Sequence, residues 1–183
     1  MIGKDIFLRA LELSDVQHLY AFENDTSIWN VSDTVIPYSS FMLEQYVMEA
    51  INTDIYASKQ LRLVICQCAD GKPIGLIDLF DFNPKHLRAN IGLLIHQNYR
   101  ENGYASEALN LLIDYAFSKL NLHQLACNLI SDNIASIKLF EKHGFVLAGI
   151  KKEWFRLSDK WVDECSYQLI RPASYNPQKN YPL

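Results

Sequence analysis

A chain of 183 residues that is 49% hydrophobic carries enough apolar material for a continuous core, which excludes global disorder. Its formal net charge of −4 leaves no basic surplus to neutralise phosphates, so a general nucleic-acid binder is not expected. No apolar run is long enough to span a bilayer, and Met1-Ile2-Gly3-Lys4-Asp5 lacks the apolar stretch of a signal peptide, so no membrane partner is expected either.

The four cysteines are Cys66, Cys68, Cys127 and Cys165, with no C-x-x-C pair, and the histidines include no H-E-x-x-H. No metal site is expected. All four cysteines fall in apolar, strand-like segments and read as buried, reduced thiols of a cytoplasmic protein.

In chain order, Ile6-Phe7-Leu8 reads as a short strand. Ser14-Asp15-Val16-Gln17 has the form of a capping box and opens a helix with Val16, Leu19 and Tyr20 on one face. Residues 25–37 read as irregular. A second helix follows Ser39-Ser40, with Leu43, Tyr46, Val47, Ala50 and Ile51 at helical spacing. Three strands follow: one around Leu61, Leu63 and Ile65, one from Ile74 to Phe80, and one from Ala89 to Ile95. Turn signals at Asp70-Gly71 and Asn83-Pro84-Lys85 make these an antiparallel meander.

The pattern then changes. Tyr104 to Lys119 is an amphipathic helix, and Leu125 to Ile130 an apolar strand. Asn133 caps a short helix that runs to His143 and stops at Gly144. Phe145 to Ala148 is strand-like, and Trp154 to Tyr167 reads as a hairpin turning near Ser158-Asp159. Residues 1–171 form one domain on this reading, and 172–183 an extended tail. This mixed α/β order starts antiparallel, which argues against a doubly wound nucleotide fold.

Two segments carry chemistry. Arg100-Glu101-Asn102-Gly103-Tyr104-Ala105-Ser106 lies between a strand and a helix. Its glycine and the helix N-terminus can aim backbone N–H groups at an anion such as a pyrophosphate, and Arg100 can pair with a further phosphate. The second segment is Asp132-Asn133-Ile134-Ala135-Ser136, followed by Leu139-Phe140 and Gly144-Phe145. By itself it is a capped helix with a glycine stop.

Together and in this order, the two segments resemble the GNAT acetyltransferase superfamily. Its Q/R-x-x-G-x-G/A motif is matched from Arg100 to Ala105. Its N-x-x-A/S and L-Y/F-x-x-x-G-F motif is matched at Asn133, Ser136, Leu139-Phe140 and Gly144-Phe145. The opening Leu8-Arg9-Ala10-Leu11-Glu12-Leu13-Ser14-Asp15 and the segment Gly75-Leu76-Ile77-Asp78-Leu79 extend the likeness over most of the chain. Within the superfamily the sequence looks most like the spermidine and diamine N-acetyltransferases. The N-terminal acetyltransferases of ribosomal proteins are a more distant second.

The resemblance implies the acyl-CoA N-acyltransferase fold: a mixed, mostly antiparallel sheet flanked by helices, with a splayed central strand pair. It implies acetyl-CoA as cofactor and a small-molecule amine, polyamine-like, as acceptor. Protein N-terminal acetylation, or a module that holds acetyl-CoA with weak turnover, is the alternative. Leu93, Leu94 and Ile95 would pair with the pantetheine arm through their free backbone groups. The N–H groups from Arg100 through Glu101, Asn102, Gly103, Tyr104 and Ala105 to Ser106 would hold the pyrophosphate. Asn133 would bond the pantetheine, with Ser136 and Phe140 near the sulfur.

The chemistry sets its own demands. An alkyl ammonium has a pKa of about 10.4, so at pH 7 only about one amine in two thousand is neutral and can attack. Something must take the proton, and the leaving thiolate needs one back. Many relatives carry a tyrosine at Phe140, which cannot donate, so Ser136 is the candidate donor. Many relatives also carry a glutamate at Asn90. Asp78 and Asp81 are the nearby acids, but three residues apart on a strand they are not expected to share a face. Trp29 and Asp33, in the irregular segment, are candidate substrate contacts. The last hairpin could pair two copies into a homodimer.

Overall fold

The computed structural model describes residues 1–29, 34–157, 159–173 and 175. Strand β1 (Ile6–Ala10) is followed by a 3-10 turn (Leu13–Asp15), α1 (Val16–Glu23), α2 (Ser40–Asn52) and a short α3 (Ile55–Ser58). The meander β2 (Leu61–Gln67), β3 (Pro73–Asn83) and β4 (Arg88–Ile95) comes next. A 3-10 turn (Gln97–Tyr99) then leads to α4 (Tyr104–Ser118), β5 (Gln124–Ile130), α5 (Ile134–Lys142), β6 (Val146–Leu157) and β7 (Lys160–Ile170).

The described strands form one sheet in the order β1-β2-β3-β4-β5-β7-β6. Neighbours are antiparallel except β4 and β5, which run parallel and pair only at Arg88↔Gln124, Ala89↔Leu125 and Asn90↔Ala126. Beyond Asn90 the two strands part. This is the splayed pair that the family resemblance implied.

Local chemistry explains most element ends. The Ser39 hydroxyl accepts from Met42 N at 3.2 Å and starts α2. The Asp54 carboxylate accepts from Tyr56 N and Ala57 N and starts α3, and Lys59 closes it at φ 60°. The Asn133 side chain accepts from Ser136 N at 3.1 Å and starts α5. The expected box at Ser14 is displaced. Glu12 is the cap and Asp15 its reciprocal partner, because the Asp15 carboxylate also receives Arg9.

Helices cover both sheet faces. On one face, Leu109, Leu112 and Ala116 of α4 and Phe140 of α5 pack on Ile65, Ile77, Ile91, Leu125 and Cys127. On the other, Leu19 and Phe22 of α1 and Leu43 and Val47 of α2 pack on Val64, Cys66 and Leu76. Leu19 of α1 is buried as expected, but Phe22 takes the place expected for Tyr20, which is exposed, and Ile51 of α2 is exposed too. The second cover stops short of Arg62, Asp78 and Gly92, which leaves that part of the face open.

Two further expectations are corrected. Phe145 to Ala148 and the first arm of the hairpin are one strand, β6, because its pairing with β7 continues across two register shifts. Cys68 lies just past β2 and is exposed, whereas Cys66, Cys127 and Cys165 are buried; all four are free thiols. Burial pushes the Cys127 thiol up to about 12, which keeps it protonated and inert. Most of the tail lies outside the described residues, but Tyr175 packs edge-on against Phe117 at 5.5 Å and bonds the Asp114 carbonyl.

Candidate active site

A cleft of about 670 Å³ opens where β4 and β5 part. Its floor follows from strand register. Arg62 pairs with Asp78, and Asp78 with Gly92, so these three form one row across β2, β3 and β4 on the open face. Asn128 on β5 and Ser166 on β7 continue the row beyond the gap. Side chains of a pleated strand alternate between faces, so the row is fixed by the pairing.

The row is polar and linked. Asp78 is 8% exposed. Its Oδ2 accepts from Gln60 Nε2 at 3.1 Å and lies 3.6 Å from Arg62 Nη2. Arg62 Nη1 donates to Glu23 Oε1 at 2.8 Å, and the guanidinium sits 5.3 Å from the Tyr46 ring centre. The Tyr46 hydroxyl donates to Gln60 Oε1 at 3.3 Å. Burial penalises the Arg62 charge, but Asp78, Tyr46 and Glu23 outweigh it and raise its pKa. Burial raises the Tyr46 pKa, against a smaller opposing pull from Arg62.

Gly92 leaves this group room that a side chain would take. A Cβ there would stand 2.8 Å from Asp78 Oδ1. The glycine therefore makes room for a carboxylate over the splayed strand. Ile28, Thr34, Tyr38, Met42 and Leu43 wall the cleft opposite the sheet, and Phe80 of β3 lines it from the sheet.

On the α5 side, Asn133, Ser136 and Phe140 line the same cleft. Among the described residues the Ser136 hydroxyl has no hydrogen-bond partner, although its backbone N–H is held by Asn133. Phe140 is buried edge-on against Phe145, with ring centres 5.0 Å apart. Leu93 and Leu94 also line the cleft, whereas Ile95 turns into the core.

The glycine loop lies at the start of α4. Glu101 at φ 64° and Gly103 at φ 84° are left-handed. Gly103 caps the helix without a side-chain bond, so the first N–H groups of α4 keep no capping partner. Arg100 Nε donates to Ile95 O at 3.0 Å, and Asn102 Nδ2 folds back on Arg100 O at 2.9 Å. The Tyr104 hydroxyl turns away and accepts from Gln67. Ala105 is half-buried in the first turn. Ser106 Oγ meets His143 Nε2 at 2.8 Å, where burial and then Lys142 hold the imidazole pKa down.

The other candidates fall elsewhere. Asn90 donates to Asp81 Oδ2 at 2.9 Å and lines a smaller cavity of about 200 Å³ with Gln124, Ser166 and Gln168. Strand spacing alone does not place Asp81. It stands at a bulge of β3 with φ 50°, where Phe82 takes the core face with Ile77 and Leu79 and Asp81 turns to Asn90, which shares its strand face with Gly92. Trp29 donates its indole N–H to Glu23 O at 3.0 Å and does not line the cleft. Asp33 lies outside the described residues. No cluster of three His, Cys, Asp or Glu side chains able to hold a metal occurs among the described residues.

Glu23, Tyr46, Gln60, Arg62, Gly92 and Asn128 were not singled out in sequence. Gly92 had a signal: a lone glycine inside a strand marks a close approach. Arg62 and Asn128 depend on strand register, Glu23, Tyr46 and Gln60 on how the helices and the turn before β2 pack on it, and none of them had a signal.

The fold and the cleft define an acetyltransferase. A family model described as the acetyltransferase (GNAT) domain matches residues 5–146, and the chain belongs to this family. Among curated relatives it is similar to the spermidine N(1)-acetyltransferase of Vibrio cholerae, 28% identical over 96% of this chain and 98% of that one. The spermidine N(1)-acetyltransferase of Escherichia coli K12 is 30% identical, over 78% of this chain and 73% of that one. Among solved structures, the V. cholerae enzyme in complex with CoA and spermine superposes with a TM-score of 0.83 at 26% identity. That match covers 92% of this chain and 96% of the other.

Proposed function

We propose that the protein transfers the acetyl group of acetyl-CoA to a primary amine of a small polyamine-like molecule. The observation that carries this is the cleft itself. A strand edge with free backbone groups, at Leu93 and Leu94, opens beside a buried carboxylate, Asp78. The names of the relatives point the same way.

The parts that would receive acetyl-CoA fit it. The unpaired edge beyond Asn90 can bond the pantetheine amides like an added strand. The left-handed Glu101 and Gly103 aim the N–H groups up to Ser106 at the pyrophosphate. Arg100 is the phosphate partner here, and Asn133 a pantetheine contact.

Acetyl-CoA supplies an activated thioester. The residues then divide the work. The backbone N–H near Leu94 stabilises charge on the thioester oxygen. Asp78 anchors the ammonium and takes a proton as the amine turns to attack. The C–N bond forms, the C–S bond breaks, and the nitrogen loses its second surplus proton. The Ser136 hydroxyl returns one proton to the sulfur, and solvent takes the other. Phe140 is an apolar wall in this scheme. Asn90 and Asp81 act at most on the outer end of an acceptor, as does Trp29; Asp33 stands as a further candidate contact.

The chain has free, mostly buried thiols, and we infer that it works in the reducing cytoplasm. β6 is an edge strand with exposed Val146, Leu147, Ile150 and Trp154, which a second copy in a homodimer would cover.

A CoA-release assay with spermidine, spermine, short diamines, amino sugars and peptides tests the assignment. Turnover should be fastest with the polyamines. Preference for peptides would move the protein to the N-terminal acetyltransferases, and no turnover on any amine would overturn the enzyme reading.

A further inference from the structure

Asp78 has two oxygens in unlike situations. Oδ2 is held from two sides, by Gln60 Nε2 at 3.1 Å and by Arg62 Nη2 at 3.6 Å. Oδ1 takes no hydrogen bond among the described residues and lies over Gly92, where only the absence of a Cβ gives it space. One oxygen is tethered and the other faces the gap between β4 and β5.

The tether is itself oriented. A glutamine amide can turn end for end, and here the carboxylate decides its sense. Asp78 Oδ2 can only accept, so it takes Gln60 Nε2, which leaves Oε1 to receive the Tyr46 hydroxyl. The Gln60 backbone is fixed as well. Ser58 Oγ donates to Gln60 O at 2.8 Å, and the left-handed Lys59 turns the chain from α3 into β2 at this point. A four-residue helix thus ends by delivering one amide to one carboxylate.

Stability alone is a poor account of this arrangement. Arg62 could pair with Asp78 through two parallel hydrogen bonds, the strongest form of such a contact. It instead leaves Nε buried without an acceptor and divides its Nη groups between Glu23 and Asp78. An unsatisfied buried donor costs free energy, so the network is not optimised as an ion pair.

We propose that Gln60, backed by Arg62, is a positioning residue: it holds Asp78 by Oδ2 so that Oδ1 faces the acceptor amine over Gly92. This rests on the reading of Asp78 as the group that anchors that amine. Gly92 completes the device, because any side chain there would turn the carboxylate away.

A double-variant cycle tests this, with spermidine as acceptor and melting temperature as a folding control. Gln60→Met removes the donor while keeping much of the bulk. It should lower kcat/KM for spermidine about tenfold, the scale of a lost hydrogen bond to a charged group, and leave KM for acetyl-CoA unchanged. In the Asp78→Asn background the same change should have almost no further effect. Gly92→Ala should reproduce the loss with both Oδ2 donors intact, and does not depend on how well Gln60→Met folds. Additive losses, with Asp78→Asn defective, would overturn the positioning role and spare Asp78. A silent Asp78→Asn would remove the anchor and the inference with it. A parallel rise in KM for acetyl-CoA would mark a general structural effect and also overturn it.

Discussion

Two arginines on the same face of the sheet treat aspartate in opposite ways. Arg9 gives Asp15 both ends of its fork, Nη1 to Oδ2 at 2.6 Å and Nη2 to Oδ1 at 2.7 Å, and Glu12 N adds a third bond at 2.9 Å. Asp15 is 1% exposed and has no oxygen left to offer. Arg62 reaches Asp78 only at 3.6 Å and leaves Oδ1 to the cleft. The first pair is closed and serves the scaffold, where it ties β1 to the start of α1. The second is open and lies where a ligand can complete it. Burial of charge does not by itself mark a site; an unused hydrogen-bonding position on a buried charge does.

This contrast can be broken most directly at Asp15. Asp15→Asn leaves a largely buried Arg9 without its counter-charge, which costs about 3 kcal/mol, the low end of the range because Arg9 is partly solvated. For a chain of this size that is roughly a 6–12 °C fall in melting temperature. Asp78→Asn should lose far less stability. Equal losses at the two sites would erase the distinction.

The same pair sets an acid limit. Burial pushes the Asp15 pKa up, but the Arg9 fork and the Glu12 amide overrule it, and the net direction is down. A carboxyl whose folded pKa lies below its unfolded value, about 3.9, stabilises fully above that value. The contribution is lost as pH falls through the folded pKa. Denaturant midpoints should therefore drop below about pH 4, and drop less steeply in Asp15→Asn.

Ser136 extends the contrast to a neutral group, since its hydroxyl also faces the cleft without a partner. Ser136→Ala should lower kcat on the order of 10²-fold with little change in acetyl-CoA binding. A silent variant, with chemistry shown to limit the rate, would remove Ser136 as the donor and leave the thiolate to depart unaided.

The smallest effect is expected at Glu23. Arg62 keeps Asp78 when Glu23→Gln removes its other partner, so stability should fall by only about 1 kcal/mol. A loss as large as that of Asp15→Asn, read in the same melting experiment, would make Arg62 a scaffold residue after all.

The parts of this site that were legible in the sequence are the local ones. The Gly103 loop and the Asn133 cap can be read because the residues that make them are neighbours, and both occur where expected. The meander was legible from its two turns. What could not be read was sideways: Gln60, Arg62, Asp78 and Gly92 meet only through the pairing of three strands, which alternation alone does not number. The misplaced box at Ser14 has a related cause. Glu12 and Ser14 can each head such a box, and the choice between them is made by Arg9 of β1, which holds Asp15 as the partner of Glu12.

The seam between β4 and β5 has a mechanical consequence. The two parts of the sheet, β1 to β4 and β5 to β6, are stitched together at only three residue pairs. A molecule bonded along the parted edges would act as a splint across a short hinge. Occupancy and rigidity are then the same variable, so a protein built this way reports its cofactor through its own stiffness.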